Sequence, residues 1–224
     1  MKSNKTYIIT IDGTSSSGKS TISKMLAHSL KFNLLDSGKL YRAVAYAAKH
    51  TGKSIKNIDN YNLLISDIKL ESNTNTHDYE IIFKNKKIDH MLYDEEIGEI
   101  ASKVSKIPIV RECMYQIQHS CIQGSGLIAN GRDMGSEVFP NANLKLFIDA
   151  SLDVRAKRRF EELSSKGHDV VYETIYQSLQ KRDESDMNRS ISPLKVPDNA
   201  IIIDTSDEKP VAIVDKILNL YNIT

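Results

Sequence analysis

Phosphate-binding chemistry is indicated by a short segment near the start of the chain. It reads Gly-Thr-Ser-Ser-Ser-Gly-Lys-Ser, which is the G-x-x-x-x-G-K-[ST] pattern of a P-loop. Glycines allow the tight turn of such a loop, and its backbone N–H groups point at phosphates. Lys19 is expected to reach the β- and γ-phosphates, and the Ser20 hydroxyl to ligate Mg²⁺. The predicted triphosphate site comprises Gly13, Thr14, Ser15, Ser16, Ser17, Gly18, Lys19, Ser20 and Thr21.

The elements on either side of this loop are those that a P-loop requires. Tyr7–Ile11 is predicted to be a short buried strand, and Thr21–Leu30 is predicted to be a helix. A strand that leads into a helix N-terminus directs N–H groups and the helix dipole at one point, where an anion binds. The alternative is a chance match in a serine-rich turn, and both flanking elements argue against it.

A second polar group follows the next predicted strand, Asn33–Asp36. Ser37 is predicted to be the N-cap of a helix that continues over Leu40–Lys49. In an open parallel sheet, ligands bind at the carboxyl ends of the strands, so Asp36 and Ser37 are expected beside the P-loop. Arg42 lies about one turn into the helix and is expected to face the same site; the alternative is a solvated helix arginine.

A third polar group follows the predicted strand Leu127–Asn130. There an arginine suits a phosphate and an aspartate suits a base or ribose, which makes Arg132 and Asp133 candidate ligand contacts. The alternative is a local ion pair at the surface.

A basic group occupies two predicted helices, Leu152–Ser164 and Tyr172–Asp186. The first carries Arg155, Arg158 and Arg159. On the second, the spacing of four and then three predicts one shared face for Arg182, Asp186 and Arg189. Arginines around a phosphate site would stabilise a transferring phosphoryl group. The alternative is a charged outer face.

The remaining pattern alternates strands and helices, which predicts an α/β fold with a parallel sheet. A polar stretch over Thr51–Ser105 breaks the rhythm and is interpreted as a peripheral insert, with a turn at Asn85. The elements predicted within the insert are strands at Lys69–Ser72 and Tyr79–Lys84 and a helix at Glu95–Ser105. The remaining predicted elements are strands at Leu144–Asp149 and Ala200–Asp204 and helices at Pro108–Gln123 and Val211–Tyr221.

Composition restricts the partners. The 224 residues are 40% hydrophobic and 26% charged with a net charge of +1, which gives no electrostatic basis for binding nucleic acid or membranes. Met1–Lys5 leads directly into the first strand and leaves no room for a signal peptide. Cys113 and Cys121, if on one helix, would lie about 12 Å apart, too far for a disulfide. We expect a cytoplasmic monomer.

Together these groups resemble the bacterial cytidylate kinases, a family of P-loop nucleoside monophosphate kinases. The stretches that carry the resemblance appear in the family's order: Ile11–Thr21, Leu35–Arg42, Ala101–Glu112, Gly131–Pro140 and Arg182–Leu194. The Gly-Arg-Asp and Arg-Asp-x-x-Asp-x-x-Arg elements are more specific than the P-loop. The resemblance implies a three-layer P-loop kinase with a five-stranded parallel core sheet, a monophosphate-binding insert at about 43–108 and a short lid at about 155–171.

The resemblance also implies the reaction and the residue roles. The γ-phosphoryl group of ATP would pass to CMP or dCMP, with Mg²⁺. Residues that would read the nucleoside are Ser37, Ser102, Arg111 and Asp133. Residues that would hold the CMP phosphate are Arg42, Arg132 and Arg189. Contacts to the pentose would come from Arg182 and Asp186, and the lid arginines over the ATP phosphates would be Arg158 and Arg159. The catalytic charges would be Lys19, Arg132, Arg158, Arg159 and Arg189.

The chain departs from the family's pattern at two positions. Asn130 stands where the family often has an acidic residue, and Tyr93 stands where the insert commonly has an arginine. The rival enzymes are P-loop kinases that act on UMP, AMP or a small alcohol, although an alcohol acceptor would call for a general base and fewer arginines. A noncatalytic nucleotide switch or a nucleic-acid remodelling ATPase is the rival from another class, and the small net charge argues against it.

Overall fold

The computed structural model describes residues 6–52, 55 and 60–223. In chain order its elements are β1 (Tyr7–Asp12), α1 (Lys19–Leu30), β2 (Asn33–Asp36), α2 (Ser37–Lys49), α3 (Tyr61–Ser66), β3 (Ile68–Ser72), β4 (Tyr79–Phe83), β5 (Lys86–Lys87), α4 (Glu95–Val104), α5 (Pro108–Ser120), β6 (Gly126–Asn130), β7 (Leu144–Asp149), α6 (Leu152–Ser165), α7 (Tyr172–Met187), β8 (Ile201–Asp204) and α8 (Pro210–Ile223). A 3₁₀ turn at Asp89–Met91 and a π-helical turn at Met134–Val138 complete them.

The main sheet has five parallel strands in the order β2-β6-β1-β7-β8, which confirms the predicted α/β class. By its internal contacts the chain divides into two compact units. The P-loop unit comprises Tyr7–Leu26 and Asn130–Thr224. The inserted unit comprises Ala27–Ala129 with the N-terminal residues up to Thr6.

The P-loop unit is built on paired hydrophobic strands. β1 pairs with β7 so that Ile11 lies opposite Leu146, and β7 continues the pairing to β8. Ile9, Ile11 and Leu146 have no exposed surface, as expected for strands covered on both faces. Both β1 and β7 end in aspartates, Asp12 and Asp149, so carboxylates stand at the carboxyl edge of these strands.

The inserted unit carries its own small antiparallel sheet, in the order β3-β4-β5. Positive φ angles at Lys84 (48°) and Asn85 (62°) form the tight turn between β4 and β5, which confirms the turn predicted at Asn85. Helix α2 packs against α4 in this unit. Residues 53, 54 and 56–59 of the predicted insert lie outside the described residues.

Two local predictions were wrong, and one helix was missed. Ser37 is not the N-cap of α2: the helix begins at Ser37, and the Asp36 carboxylate caps it by accepting from the Lys39 N–H at 3.2 Å. Helix α5 ends at Ser120 rather than at Gln123. Helix α3 was not predicted, because its six residues are too few to show a helical hydrophobic period.

Two further findings concern the cysteines and the lengths of the helices. Cys113 and Cys121 are both free thiols, as their predicted spacing implied. Within the described residues, no helix has the length and apolar character needed to cross a bilayer.

Candidate active site

The P-loop conformation is dictated by close packing at its first glycine. Gly13 has a φ of 143°, and a Cβ atom at that position would lie 1.8 Å from the carbonyl oxygen of Ile148. Gly18 (φ 90°) begins the turn into α1, where the Ile22 N–H donates to its carbonyl at 3.1 Å. Only glycine fits both requirements at position 13, so the sequence motif and the backbone path agree.

Lys19 is held inside this loop. Lys19 is buried, with 7% of its surface exposed. Its ammonium donates to the Thr14 carbonyl and to Ser17 Oγ, the latter at 3.3 Å. The Ser17 hydroxyl donates to the same Thr14 carbonyl at 3.0 Å. A buried ammonium among loop carbonyls and hydroxyls is positioned to meet a phosphate without a large side-chain rearrangement.

Asp149 fixes the other side of the loop. The Thr14 hydroxyl donates to Asp149 Oδ1 at 2.5 Å, and the Ala150 N–H donates to the same oxygen at 2.9 Å. In this structure its carboxylate holds the P-loop backbone through Thr14.

Ser15 is the point at which two arginines meet the P-loop. Arg132 donates to Ser15 Oγ at 2.6 Å and to Asp186 Oδ2 at 3.0 Å. Arg155, with 5% exposure, donates to the Ser15 carbonyl at 3.2 Å and to Asp183 Oδ2 at 2.5 Å. Two acidic residues one turn apart on α7 therefore position two arginines on one P-loop residue.

Asp12 orders the segment that carries Arg132. Its carboxylate accepts from the N–H groups of Met134 and Gly135, both at 2.7 Å. Burial raises the pKa of Asp12 to about 6, although these two N–H groups oppose the shift. Because the carboxylate is buried at the end of β1, it connects the strand before the P-loop to the Gly-Arg-Asp segment.

Arg189 and Asp133, two predicted acceptor contacts, lie close to each other. Arg189 Nη2 is 3.9 Å from Asp133 Oδ1, and its Nε donates to the Ser192 carbonyl. The predicted single helical face for Arg182, Asp186 and Arg189 is wrong, since α7 ends at Met187. Arg182 and Arg189 nevertheless act on Asp186: burial would raise its pKa, and the charges of Arg132, Arg182 and Arg189 lower it.

The two predicted lid arginines have different partners. Arg158 donates to the Thr205 hydroxyl at 3.1 Å and to the Thr205 carbonyl at 2.5 Å. The Thr205 hydroxyl in turn donates to the Ser17 carbonyl at 2.9 Å, so Arg158 is tied to the P-loop. Arg159 pairs with Glu162 at 2.9 Å on the same helix. The structure does not bring these two guanidinium groups onto one partner.

Ser20 is the one predicted metal ligand, and its surroundings suit a hard cation. Its residue is exposed, and Asn130 Nδ2 donates to its Oγ at 3.3 Å. Among the described residues, the Oδ1 atom of the same amide is buried without a hydrogen-bond partner. Mg²⁺ prefers oxygen ligands, and hydroxyl and amide oxygens can bind the ion directly or accept a hydrogen bond from its bound water. The described residues contain no cluster of three or more His, Cys, Asp or Glu side chains that could hold a metal ion.

The inserted unit holds the other predicted contacts. On α2, Ser37 Oγ accepts from Gln118 Nε2 at 2.9 Å, and Arg42 Nη1 donates to the Leu92 and Asp94 carbonyls at 2.8 and 3.2 Å. On α5, Arg111 Nη1 donates to the Tyr41 hydroxyl at 3.1 Å and to the Ser105 carbonyl at 3.4 Å. Ser102 lies half-buried on α4, with its carbonyl accepting from the Ser105 hydroxyl at 3.0 Å.

Sequence reasoning missed several residues that position this set. Arg155 was placed in a basic group without a partner, and the i,i+3 pair of Asp183 and Asp186 was the signal that could have found it. Gln118 gave no signal, since its contact with Ser37 joins residues 81 positions apart. Lys39 gave none either; it is buried and pairs with Asp89 at 2.5 Å.

Comparison with known proteins places these features in one family. A family model described as cytidylate kinase matches residues 9–223. A cytidylate kinase of Azotobacter vinelandii is 38% identical over 214 residues, which cover 95% of this chain and 93% of that protein. A cytidylate kinase of Shewanella oneidensis is 39% identical over 222 residues, covering 98% and 96%.

Solved structures support the fold. An uncharacterized protein from Eubacterium ventriosum superposes with a TM-score of 0.55 over 96% of this chain and 98% of its own. Its sequence is 13% identical to this chain, so the likeness extends to the fold alone.

Proposed function

The chain belongs to the cytidylate kinase family, and we propose that it transfers the γ-phosphoryl group of ATP to CMP or dCMP, giving CDP or dCDP. The observation that carries the proposal is the contact of Arg132 with Ser15 Oγ at 2.6 Å. This contact joins the P-loop, which suits the donor phosphates, to an arginine that suits the acceptor phosphate. Donor and acceptor phosphates bound at these residues would be neighbours, as phosphoryl transfer requires.

For the donor, we assign ATP to the P-loop from Gly13 to Thr21. Lys19 would exchange its loop carbonyl for the β- and γ-phosphates, and loop N–H groups would bind the remaining oxygens. Ser20 would hold Mg²⁺, with Asn130 Oδ1 accepting from a water on the ion. Mg²⁺ held by Ser20 would neutralise part of the charge on the ATP phosphates.

For the acceptor, we divide the residues as the resemblance to the cytidylate kinases implies. The phosphate is assigned to Arg42, Arg132 and Arg189, whose guanidinium groups can bind a phosphate bidentately. The nucleoside is assigned to Ser37, Ser102, Arg111 and Asp133, whose side chains can form directional hydrogen bonds. The pentose is assigned to Arg182 and Asp186. The proximity of Arg189 to Asp133 supports adjacent phosphate and nucleoside contacts.

The chemistry needs no general base. A phosphate monoester is already an anionic nucleophile at neutral pH, so the protein has to bring two anions together and stabilise their charge. Lys19, Arg132 and Arg189 are the cations assigned to that task. Arg158 and Arg159 are assigned to the ATP phosphates, which would require each to leave its present partner, Thr205 or Glu162.

We further propose a monophosphate-binding insert at about residues 43–108 and a short lid at about 155–171. The small antiparallel sheet and α4 fall inside the first range, which supports an added module there. Within the second range, residues up to Ser165 are helical and pack through Ala156 onto Ile175 and Leu179 of α7. A lid of this kind would exclude water and suppress ATP hydrolysis. We also propose a cytoplasmic monomer that does not use nucleic acid as a partner.

The test is ADP release by the purified chain with Mg-ATP and each of CMP, dCMP, UMP and AMP. We expect turnover with CMP or dCMP at least about tenfold above UMP and AMP, since a missing polar contact costs roughly 1.4 kcal/mol or more. Preference for UMP or AMP would favour the rival acceptor. No turnover with any monophosphate, in a folded protein that binds ATP, would leave the small-alcohol kinase and the noncatalytic alternative.

A further inference from the structure

Gly98 on α4 creates the space in which the guanidinium of Arg42 lies. A Cβ atom at position 98 would come within 2.9 Å of Arg42 Nη2, 3.2 Å of Nη1 and 3.3 Å of Cζ. Real Cβ atoms essentially never lie within 3.0 Å of another heavy atom, so a side chain at position 98 would require the guanidinium, the flexible end of Arg42, to shift. The helix itself does not need this glycine, because α4 has ordinary helical geometry there and no positive φ at position 98.

Backbone carbonyls also hold the guanidinium of Arg42 in place. Nη1 donates to the Leu92 carbonyl at 2.8 Å and to the Asp94 carbonyl at 3.2 Å, and both carbonyls belong to the segment that leads into α4. The Tyr93 ring between them lies 5.9 Å from Arg42 Cζ, within reach of a cation–π contact. Two carbonyls, one aromatic ring and the bare backbone of Gly98 therefore define one position for the Arg42 side chain.

We propose that Gly98 is a positioning residue for the monophosphate: it keeps the Arg42 guanidinium in the plane that binds the phosphate of the acceptor. This inference rests on the proposed function, which assigns Arg42 to the CMP phosphate. A glycine inside a helix is unfavourable for folding relative to alanine, so its presence in α4 is explained by the space that Arg42 needs.

The decisive variant is Gly98→Ala, because it should stabilise the helix and at the same time weaken binding of the acceptor. Alanine favours the helix, so the thermal midpoint should stay the same or rise. Displacing the guanidinium should raise KM for CMP by about tenfold, since misplacement of a positioning group by about 1 Å can cost up to about a hundredfold. KM for ATP should stay within about twofold. An unchanged KM for CMP would overturn the proposal, and so would a fall in the thermal midpoint with equal losses for both substrates.

The control and the double variant separate this role from a general one. Glu99→Ala introduces an alanine on the exposed side of the same helix, with a smaller gain in helix propensity, and should leave both KM values unchanged. In the Arg42→Ala background, Gly98→Ala should have no further effect on KM for CMP, because the group that it displaces is gone. Additive effects would overturn the proposal. If the parent chain itself shows no CMP turnover, the proposed function fails instead, and the thermal midpoints still report whether the helix tolerates alanine.

Discussion

The two units hold their candidate site residues in different ways. In the P-loop unit, arginines meet carboxylates in buried pairs: Arg155 with Asp183 at 2.5 Å and Arg132 with Asp186 at 3.0 Å. In the inserted unit, Arg42 donates to the backbone carbonyls of Leu92 and Asp94. Removing one partner of a buried ion pair leaves a charge without compensation, whereas a neutral acceptor is less costly to leave behind. We therefore expect folding stability and catalysis to be coupled in the P-loop unit and separable in the inserted unit.

The largest expected effect is on Lys19, which belongs to the P-loop unit but pairs with neutral acceptors. Lys19→Ala should lower kcat by about a thousandfold, because the transferring phosphoryl group loses a fixed positive charge. The Thr14 carbonyl would be released, and the change in unfolding free energy should be about 1 kcal/mol. Kinetics and urea unfolding of the same preparation measure both. Lys24→Ala, an exposed lysine on α1, is the control. A folded Lys19 variant with near-parental kcat would remove this residue from the site.

Arg132 gives the sharpest test of coupling. Arg132→Met leaves the Asp186 carboxylate, 10% exposed, without its closest partner, and we expect the unfolding free energy to fall by about 3 kcal/mol at pH 7. KM for CMP should rise in the same variant. Replacing both partners, Arg132→Met with Asp186→Asn, should restore most of the stability but not the KM, which urea unfolding and kinetics can separate. If the single variant is as stable as the parent, the two units do not differ in the way described.

The raised pKa of Asp12 leads us to expect an unusual pH dependence of folding stability in the P-loop unit. Burial raises its pKa from 3.8 to about 6, so between these values the folded chain binds a proton that the unfolded chain has released. Stability contributed by Asp12 must therefore fall as pH rises from about 4 to about 6, by up to about 3 kcal/mol. Asp186, whose pKa is lowered, contributes stability in the opposite sense: it is present above pH 3.8 and lost as pH falls further.

The measurement is urea unfolding of the parent and of Asp12→Asn over this pH range. Because all other carboxylates titrate in both proteins, the difference between the two curves isolates Asp12. We expect the parent to lose stability relative to the variant as pH rises from 4 to 6. Parallel curves would mean that Asp12 is ionised throughout, with the Met134 and Gly135 N–H groups outweighing burial.

How much the sequence predicted depends on how far apart the partners lie. The P-loop and its strand and helix are contiguous, and their path was predicted to within a few residues. The contact of Asp12 with Met134 spans 122 positions, and no local pattern encodes it. The cap of α2 shows the same limit. Asp36 and Ser37 are both good N-caps, and Ser37 instead accepts from Gln118, 81 residues away. Residue types were thus predictable, but their pairing was decided by the tertiary fold.

The smallest expected effect is on Arg111 in the inserted unit. Its Nη1 donates to the Tyr41 hydroxyl at 3.1 Å and to the Ser105 carbonyl at 3.4 Å, and the Tyr41 ring lies 5.9 Å from its Cζ. Arg111→Met keeps most of the aliphatic stem, so the unfolding free energy should change by no more than about 1 kcal/mol. KM for CMP should rise about tenfold, as expected when a charged hydrogen bond worth about 1.5 kcal/mol is lost, and KM for ATP should not change.

Glu112→Gln, the exposed neighbour on α5, is the matched control for that variant and should change neither stability nor either KM. A stability loss as large as that of Arg132→Met would show that the inserted unit also couples folding to its site through this arginine. A KM for ATP that rises together with the KM for CMP would remove Arg111 from the nucleoside contacts. The expected result, a change confined to CMP in a protein of nearly unchanged stability, would mean that acceptor recognition can vary in the inserted unit without disturbing the buried ion pairs around the P-loop.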